Sequence, residues 1–463
     1  MSLTVYNTQS RALEPFETIE PGVVRMYVCG VTPYSSSHVG HAMSAIIFDV
    51  IKRYLTYRGY RVRHVTNFTD IDDKIITRAN REGINPTQLV ETTIEQWHDE
   101  MDALNILRAD VYPRATMEID QIIEMIQGLI EDRHAYQVEG DVYYRVRSFD
   151  GYGKLSRRSL DDLLSGARIE IDERKDDPLD FALWKAAKPG EPWWESPWGR
   201  GRPGWHIECS AMCSHHLDGV VDIHGGGADL IFPHHENEIA QSEAYLGQEP
   251  FARYWVHNGL LQLSGEKMSK SIGNLVSIGE LIERNRTGAF RVYVLQSHYR
   301  APLTFTDEGL EAAQRGLERI QTAMDASHVA TSAVALDPSL ARAAMESFEA
   351  AMDNDFDTPG AMAAIFGLVR ALNRSAGHEG STEALSTARQ TLGVMLETLG
   401  IDSSPELSRA GREAAPFIDL LMQVRESLRS AKQWQLADQI RDELSKQGIT
   451  IADGPDGATW RAE

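Results

Sequence analysis

At 463 residues the chain is long enough for about three folding units of ~150 residues each. With 42% apolar and 25% charged residues, its composition excludes disordered, collagenous and low-complexity classes. Acidic residues number 68 against 46 basic ones, a net charge of −22 that on charge alone sets the whole molecule against nucleic acid and anionic membranes. Three cysteines are too few for a disulfide framework. There is no run of ~18 apolar residues and no charged-then-apolar leader, so a cytoplasmic setting without a membrane span is expected.

Residues 24–28 form a short β-rich run broken by Gly30. An apolar helical pattern follows from Val39 to Tyr57, Gly59 stops it, and residues 60–65 alternate with period two. Strand, helix and strand at this length predict a βαβ unit with a parallel sheet. Further helical patterns lie around 70–80, 86–104 and 115–132. Residues 184–205 hold five of the nine tryptophans among Pro and Gly, which predicts an irregular insertion with covering aromatics. From about 307 the periodicity is that of a helical bundle, broken near 326–338, 375–382 and 402–410. Thr358 is its expected helix cap ahead of Pro359. From about 413, two helices and two short extended pieces predict a small separate α/β module.

Four clusters carry chemistry. His38-Val39-Gly40-His41 opens the first helix, where unpaired N–H groups and the positive dipole end attract phosphate. Lys267 and Lys270, three apart in a Ser- and Gly-containing loop, form a clamp for a leaving pyrophosphate. A metal set is offered by Cys29 at the first strand's end, Cys209, and the i,i+4 pair His234 and Glu238 on a helix opened by Pro233 and closed by Gly247. Spacing leaves Cys213 and His235 as equal alternatives, although His235, next to His234, is expected to point elsewhere. Finally His224-Gly225-Gly226-Gly227-Ala228-Asp229 suits close backbone contact with a ligand, with Asp229 accepting from ribose hydroxyls. A tight turn explains the glycines nearly as well. No GxxxxGK[ST] loop or GxGxxG fingerprint occurs. The acidic run at 353–357 lacks the glycine and glutamate of a calcium loop.

HVGH and, about 230 residues later, KMSKS resemble the paired signatures of class I aminoacyl-tRNA synthetases. More narrowly, YVCGVTPY, NFTDIDDKII, PGWHIECSAM, DIHGGGADLIFPHHENEIAQS, GEKMSKSIGN and the C-terminal Trp434…Trp460-Arg461 pattern are similar to cysteinyl-tRNA synthetases over nearly the whole chain. Val39 replaces the signature isoleucine.

The resemblance implies an α/β fold. A Rossmann-like parallel-sheet catalytic domain occupies 1–306, with a connective insertion at about 115–204 and a KMSKS-bearing segment at about 250–306. A helical bundle (307–405) and an anticodon-binding module (406–463) follow. It implies ATP-dependent activation of L-cysteine and transfer to tRNA(Cys), with ATP entering as its Mg2+ complex. Catalytic roles fall on His38, His41, Lys267 and Lys270, and ATP contacts on His38, Gly40, His41, Gly226, Gly227, Asp229 and Lys270. The family's zinc ligands transfer to Cys29, Cys209, His234 and Glu238, dropping Cys213, and its amino-acid pocket to Cys29, Thr69, Trp205 and His234. Zinc then selects the substrate thiol, without an editing domain, where size alone separates cysteine from serine by only about 1–3 kcal/mol.

A monomer is expected. Two other readings remain: a cysteine ligase acting on an amino-sugar acceptor (mycothiol-type), whose family lacks the C-terminal module, and a non-catalytic synthetase-like RNA-binding protein. In that module Leu436, Ile440 and Leu444 are expected as core. Trp434 and Trp460 are candidates to stack on unpaired bases, with Lys432, Arg441 and Arg461 on phosphates. Since net charge is a global sum, RNA needs only a local basic track, expected near the active-site mouth and the C-terminal module.

Overall fold

The structure, a computed structural model, describes residues 2–162, 174–263, 266–267, 276–325, 336–375, 382–403, 409–447, 449–454 and 457–462. Its centre is a four-stranded parallel sheet of β1 (Val23–Val31), β2 (Arg61–Phe68), β3 (Val221–Gly227) and β4 (Ala252–Asn258), in the order β4-β3-β1-β2. Helix α1 (Val39–Tyr57) connects β1 to β2 on one side. The long return through α2 (Trp205–Leu217) to β3 leaves on the other. Such a reversal of strand order opens a crevice at the carboxyl ends of β1 and β3, where ligands settle in open α/β sheets.

Two hydrophobic cores flank the sheet. Val24, Met26 and Val28 of β1 pack with α1 residues such as Ile46 and Val50. Tyr27 and, beside it, Cys29 pack with Ile207, Cys209 and Met212 of α2. Period-two alternation therefore aims Cys29 at the helix that carries Cys209.

Between β2 and α2 lies a second, antiparallel sheet of Ala135–Val138, Asp141–Tyr144, Phe181–Ala186 and Gly201–Pro203. The tryptophan-rich stretch is thus less irregular than expected: both of its ends are strands, and Trp184 is fully buried. Helix α3 (Glu236–Leu246) ends at Gly247, which takes the left-handed φ of 60° that glycine tolerates.

Helices α4 (Thr287–Leu295), α5 (Asp307–Met324), α6 (Ser339–Met352), α7 (Thr358–Ser375) and α8 (Thr382–Thr398) follow. Leu317, Phe348, Ile365 and Leu392 share the core of α1. Asp357 rather than Thr358 caps α7: Gly360 N donates to its Oδ1 at 3.1 Å, while the Thr358 hydroxyl reaches the Ser297 carbonyl. The neighbouring acids are likewise bound within the protein. Tyr54 donates to Asp353 at 2.7 Å, and Tyr299 and Arg300 both donate to Asp355 at 2.7 Å.

At the end come α9 (Arg409–Ser430), α10 (Trp434–Lys446) and an antiparallel hairpin of β5 (Ile449–Gly454) and β6 (Gly457–Ala462). Here one expectation is corrected. Leu444 is buried, but Leu436 is 49% exposed and, with the half-buried Ile440, lines an open apolar groove beside Leu421 and Leu428, since α10 buries the face that carries Ala437 and Leu444. Among the described residues, no helix is long and apolar enough to cross a membrane.

Candidate active site

Cys29 lies near the carboxyl end of β1, inside an irregularity in its pairing with β2 where the register shifts between Val28 and Val31. Gly30 makes the close approach possible: its N–H donates to Asn67 Oδ1 at 2.9 Å, and a Cβ there would run into the Asn67 carbonyl. From α2 comes Cys209, and from the turn before α3 come His234 and, one turn on, Glu238. His234 Nε2 lies 3.0 Å from Glu238 Oε1. Ligand atoms of Cys29, Cys209, His234 and Glu238 all fall within 4.8 Å of one another.

A second set, Cys29, His224, His235 and Glu238, meets the same criterion of 4.8 Å. His235 does not point elsewhere, as helical geometry suggested: its Nε2 stands 3.3 Å from Cys29 Sγ. Phe232 is extended (φ −140°, ψ 132°) and ends the preceding turn, and from the helical start behind it the two adjacent histidines reach the centre by different partners, His234 at Glu238 and His235 at Cys29. Behind it, His235 Nδ1 meets His257 Nε2 at 2.7 Å, and His257 Nδ1 meets Thr8 Oγ1 at 2.9 Å. On the other flank, His206 Nδ1 lies 2.9 Å from His234 Nδ1. Trp205 stacks on His234 with centroids 4.3 Å apart and remains 40% exposed, a lid over the set.

Electrostatics favour a cation at this centre. Glu238 is wholly buried. Although burial opposes it, His224 and His234 hold its carboxyl well below the usual range. Desolvation, with Cys209 and Glu238 beside it, pushes the Cys29 thiol well up. Its hydrogen bond brings Cys209 down to about 6. Against burial, Glu238 and Cys209 raise His234 to about 10. His224 Nδ1 is buried without a hydrogen-bond partner, and Glu238 Oε2, equally buried, faces only His224 Nε2 at 3.3 Å. Two thiols, an imidazole and a carboxylate are a donor set suited to zinc, and only the first quartet contains both thiols.

Thr69 is buried and accepts from Asn67 Nδ2 at 3.3 Å. Its hydroxyl also hydrogen-bonds Glu208, a carboxyl that burial and Cys209 push well up. It thus joins β2 to the helix bearing Cys209 and Trp205. His38 caps α1, its Nδ1 accepting from Gly40 N at 3.1 Å, and stacks on His41 with centroids 3.8 Å apart. A Cβ on Gly40 would meet the His38 ring at 3.0 Å.

The three glycines lie within β3 rather than in a turn. Gly225 gives room to the Phe48 ring of α1, and a Cβ on Gly226 would meet His235 Cε1 at 3.0 Å. Asp229 is exposed just beyond Gly227. The backbone of Lys267 pairs with Gln262; its side chain and all of Lys270 lie outside the described residues. Beyond them, Val39 N donates to Val276 O at 3.1 Å and Ile278 N to Ser37 O at 3.2 Å, tying that segment's far end to the HVGH turn. Trp434 is 56% exposed, whereas Trp460 Nε1 donates to Asp419 at 2.7 Å.

Two residues of this centre, His206 and His257, have no role in the motif reading, while His235 stands there only as an alternative ligand and His224 only as the head of the glycine run. The alternation that puts Cys29 on the α2 side of β1 was the available signal, since Tyr27 and His224 lie in adjacent strands on that same side, with rings 5.2 Å apart.

Residues 15–315 match the family described as tRNA synthetases class I (C) catalytic domain, residues 347–402 the DALR domain, and residues 413–461 the cysteinyl-tRNA ligase anticodon binding domain. Over 463 residues the chain is 54% identical to a cysteine–tRNA ligase of Dehalococcoides mccartyi, covering all of both chains. It is 48% identical to that of Carboxydothermus hydrogenoformans, covering 99% of this chain and 100% of the relative. Among solved structures, Mycobacterium tuberculosis methionyl-tRNA synthetase in complex with methionyl-adenylate shares the fold, with a TM-score of 0.57 at 18% identity, covering 86% of this chain and 94% of that one.

Proposed function

Since the chain belongs to the cysteinyl-tRNA synthetase family, we propose a division of labour among its residues for the reaction of that family. The protein is an aminoacyl-tRNA ligase that activates L-cysteine with ATP and transfers it to tRNA(Cys). A cysteine carboxylate oxygen attacks the α-phosphorus, pyrophosphate leaves, and a terminal adenosine hydroxyl then displaces AMP from the acyl carbon. No covalent bond to the protein is needed, so positioning and charge stabilisation supply the catalysis.

His38, Gly40 and His41 receive the phosphates at the N-terminus of α1. The Nδ1 contacts of the two rings with backbone N–H groups fix the ring planes and direct Nε2 to phosphate oxygens. Lys267 and Lys270 neutralise charge at the phosphorus centre. Gly226 and Gly227 offer backbone at the end of β3, and Asp229 takes the ribose hydroxyls.

We assign the zinc ligands to Cys29, Cys209, His234 and Glu238. The observation that carries this assignment is their convergence within 4.8 Å at the end of β1, in the crevice where the sheet order reverses. A zinc ion held there supplies a soft Lewis acid that accepts a thiolate far better than a hydroxyl. Trp205 closes over the amino-acid pocket, with Thr69 at its wall. The anticodon-type module at 413–461 favours tRNA over an amino-sugar acceptor.

Cys209→Ser tests the assignment. Loss of bound zinc together with a collapse of cysteine-over-serine preference in ATP–pyrophosphate exchange is expected. Unchanged preference in a folded, zinc-free variant would overturn it.

A further inference from the structure

The last turn of α2 carries His215 and His216, and both reach one carboxylate. His215 Nδ1 lies 2.7 Å from Glu118 Oε2, and His216 Nε2 lies 2.8 Å from Glu118 Oε1. The two rings stand 4.6 Å apart. Among the described residues, this is the one convergence of three metal-ligating side chains within 4.8 Å that lies outside the candidate active site. The two places are separate: His215 follows Cys209 by six residues, about 9 Å along the helix.

Glu118 stands at the cap position of the helix Ile119–Glu131, yet its side chain makes no capping bond and meets the two histidines instead. That side chain is 9% exposed, against 21% for His216 and 47% for His215, so the carboxylate is covered and one imidazole is open to solvent. Among the described residues, no lysine or arginine forms an ion pair with Glu118. A divalent cation between the three groups would therefore give the buried carboxylate a full positive partner, which uncharged imidazoles do not. The negative dipole end of α2 adds to the attraction. Three residues beyond Glu118, Gln121 Oε1 is buried without a hydrogen-bond partner, a further oxygen donor within one turn. The donors are also held in place. Arg63 of β2 donates to the His216 carbonyl at 3.0 Å and pairs with Asp218 at 3.2 Å, which fixes the end of α2 and balances the arginine's own charge.

We propose that Glu118, His215 and His216 form a second divalent-metal site, of the zinc class, distinct from the quartet at Cys29. Two imidazoles and a carboxylate are a set that zinc accepts with its fourth position open to water. Tetrahedral ligands at ~2.0 Å stand about 3.3 Å from one another, so each nitrogen–oxygen contact opens by about 0.5 Å on binding. The proton on each ligating nitrogen passes to the other nitrogen of the same ring. Lacking thiolates and keeping one ligand exposed, the site binds zinc more weakly than the buried quartet and exchanges it with solvent. The ion then acts as a removable staple between the start of the helix Ile119–Glu131 and the end of α2. Nothing in this depends on the ligase reading.

Zn2+ itself is the probe. Protein passed through metal-free gel filtration is titrated with Zn2+ by equilibrium dialysis, comparing wild type, His215→Gln/His216→Gln, Glu118→Gln and Cys209→Ser. Thermal midpoint and ATP–pyrophosphate exchange are measured alongside. Wild type is expected to take up one equivalent beyond the metal it retains, and Cys209→Ser to keep that added equivalent. In the histidine and glutamate variants its affinity is expected to fall at least about 100-fold, the upper end of what losing even an outer partner of a metal ligand costs. Added Zn2+ is expected to raise the midpoint of wild type and not that of the histidine variant, while exchange by that variant stays at the wild-type rate. In wild type alone, Zn2+ is expected to shield His215 and His216 from acylation by diethyl pyrocarbonate, a readout that needs no variant to fold.

Absence of the added equivalent in wild type would overturn the proposal, as would its persistence in the histidine variant, which would put the ion on other histidines. Acylation of His215 at an unchanged rate in zinc-saturated wild type would overturn it whether or not the variants fold. Exchange lost in step with this zinc would overturn the separation from the active site.

Discussion

Gly30→Ala puts the geometry of the proposed metal centre under strain without removing a ligand. A Cβ at this position would fall far inside 3.0 Å of the Asn67 carbonyl oxygen, and the obstruction is backbone rather than a flexible side chain. Either β1 or β2 must therefore give way. β2 is held on its other side by the Thr66 N–H to Val111 O bond of 3.2 Å and the Phe68 N–H to Pro113 O bond of 2.9 Å, so the shift is carried largely by the Cys29–Gly30 segment. Moving Cys29 on the order of 1 Å is enough to cost about 100-fold in a reaction governed by positioning. The accompanying overpacking costs about 1–3 kcal/mol of stability. Cysteine-dependent ATP–pyrophosphate exchange, zinc content and the denaturation midpoint are the three readouts. Exchange is expected to fall far more than stability does, with zinc bound more weakly. Wild-type exchange and full zinc in the variant would refute the view that the Gly30 contact sets the position of Cys29.

Other perturbations have definite outcomes. Arg291 is buried against Asp49 at 2.8 Å and donates to the carbonyls of Leu104, Asn105 and Leu399, joining the sheet's helix layer to the bundle. Arg291→Met is expected to lose about 3–5 kcal/mol in a urea titration, and a shift below about 1 kcal/mol would show that the pair is dispensable. His64 is buried with both ring nitrogens unpartnered. Burial and Lys52, opposed by Asp110 and Asp49, bring it down to about 3. Its folded value lies below the unfolded one, so the neutral ring contributes stability fully above pH ~6.5 that is lost as pH falls towards 3, about 2 kcal/mol between pH 7 and 5. His64→Leu is expected to flatten stability between those pH values, and an unchanged slope would contradict it.

Local periodicity made much of the fold legible. The helix Val39–Tyr57 and the strands on either side of it follow from an apolar face, the glycine at position 59 and period-two alternation. The antiparallel sheet around Trp184 was not legible, because its partners at 135–144 lie some forty residues away and non-local pairing leaves no trace in local pattern.

At the candidate site, the residue types pointed to a metal, but helical spacing could not choose between His234 and His235. Both reach the centre, because Cys29 and Glu238 sit between the two rings and belong to both donor sets, a placement set by strands and helices distant in sequence. The glycines at 225–227 suited a ligand contact and, nearly as well, a tight turn; they lie in a strand and make room for Phe48 and His235, a requirement set by neighbours distant in sequence. Net charge misled most: a sum of −22 spoke against nucleic acid in a chain whose family acts on tRNA.

The most direct measurement is aminoacylation of total tRNA with labelled cysteine, with bound zinc quantified in the same preparation. Cysteine is expected to enter tRNA in an ATP-dependent reaction by protein carrying stoichiometric zinc, with serine excluded. Cysteine-selective charging by zinc-free protein would contradict the metal-centred account of selectivity, and absence of cysteine-dependent charging would contradict the assigned reaction.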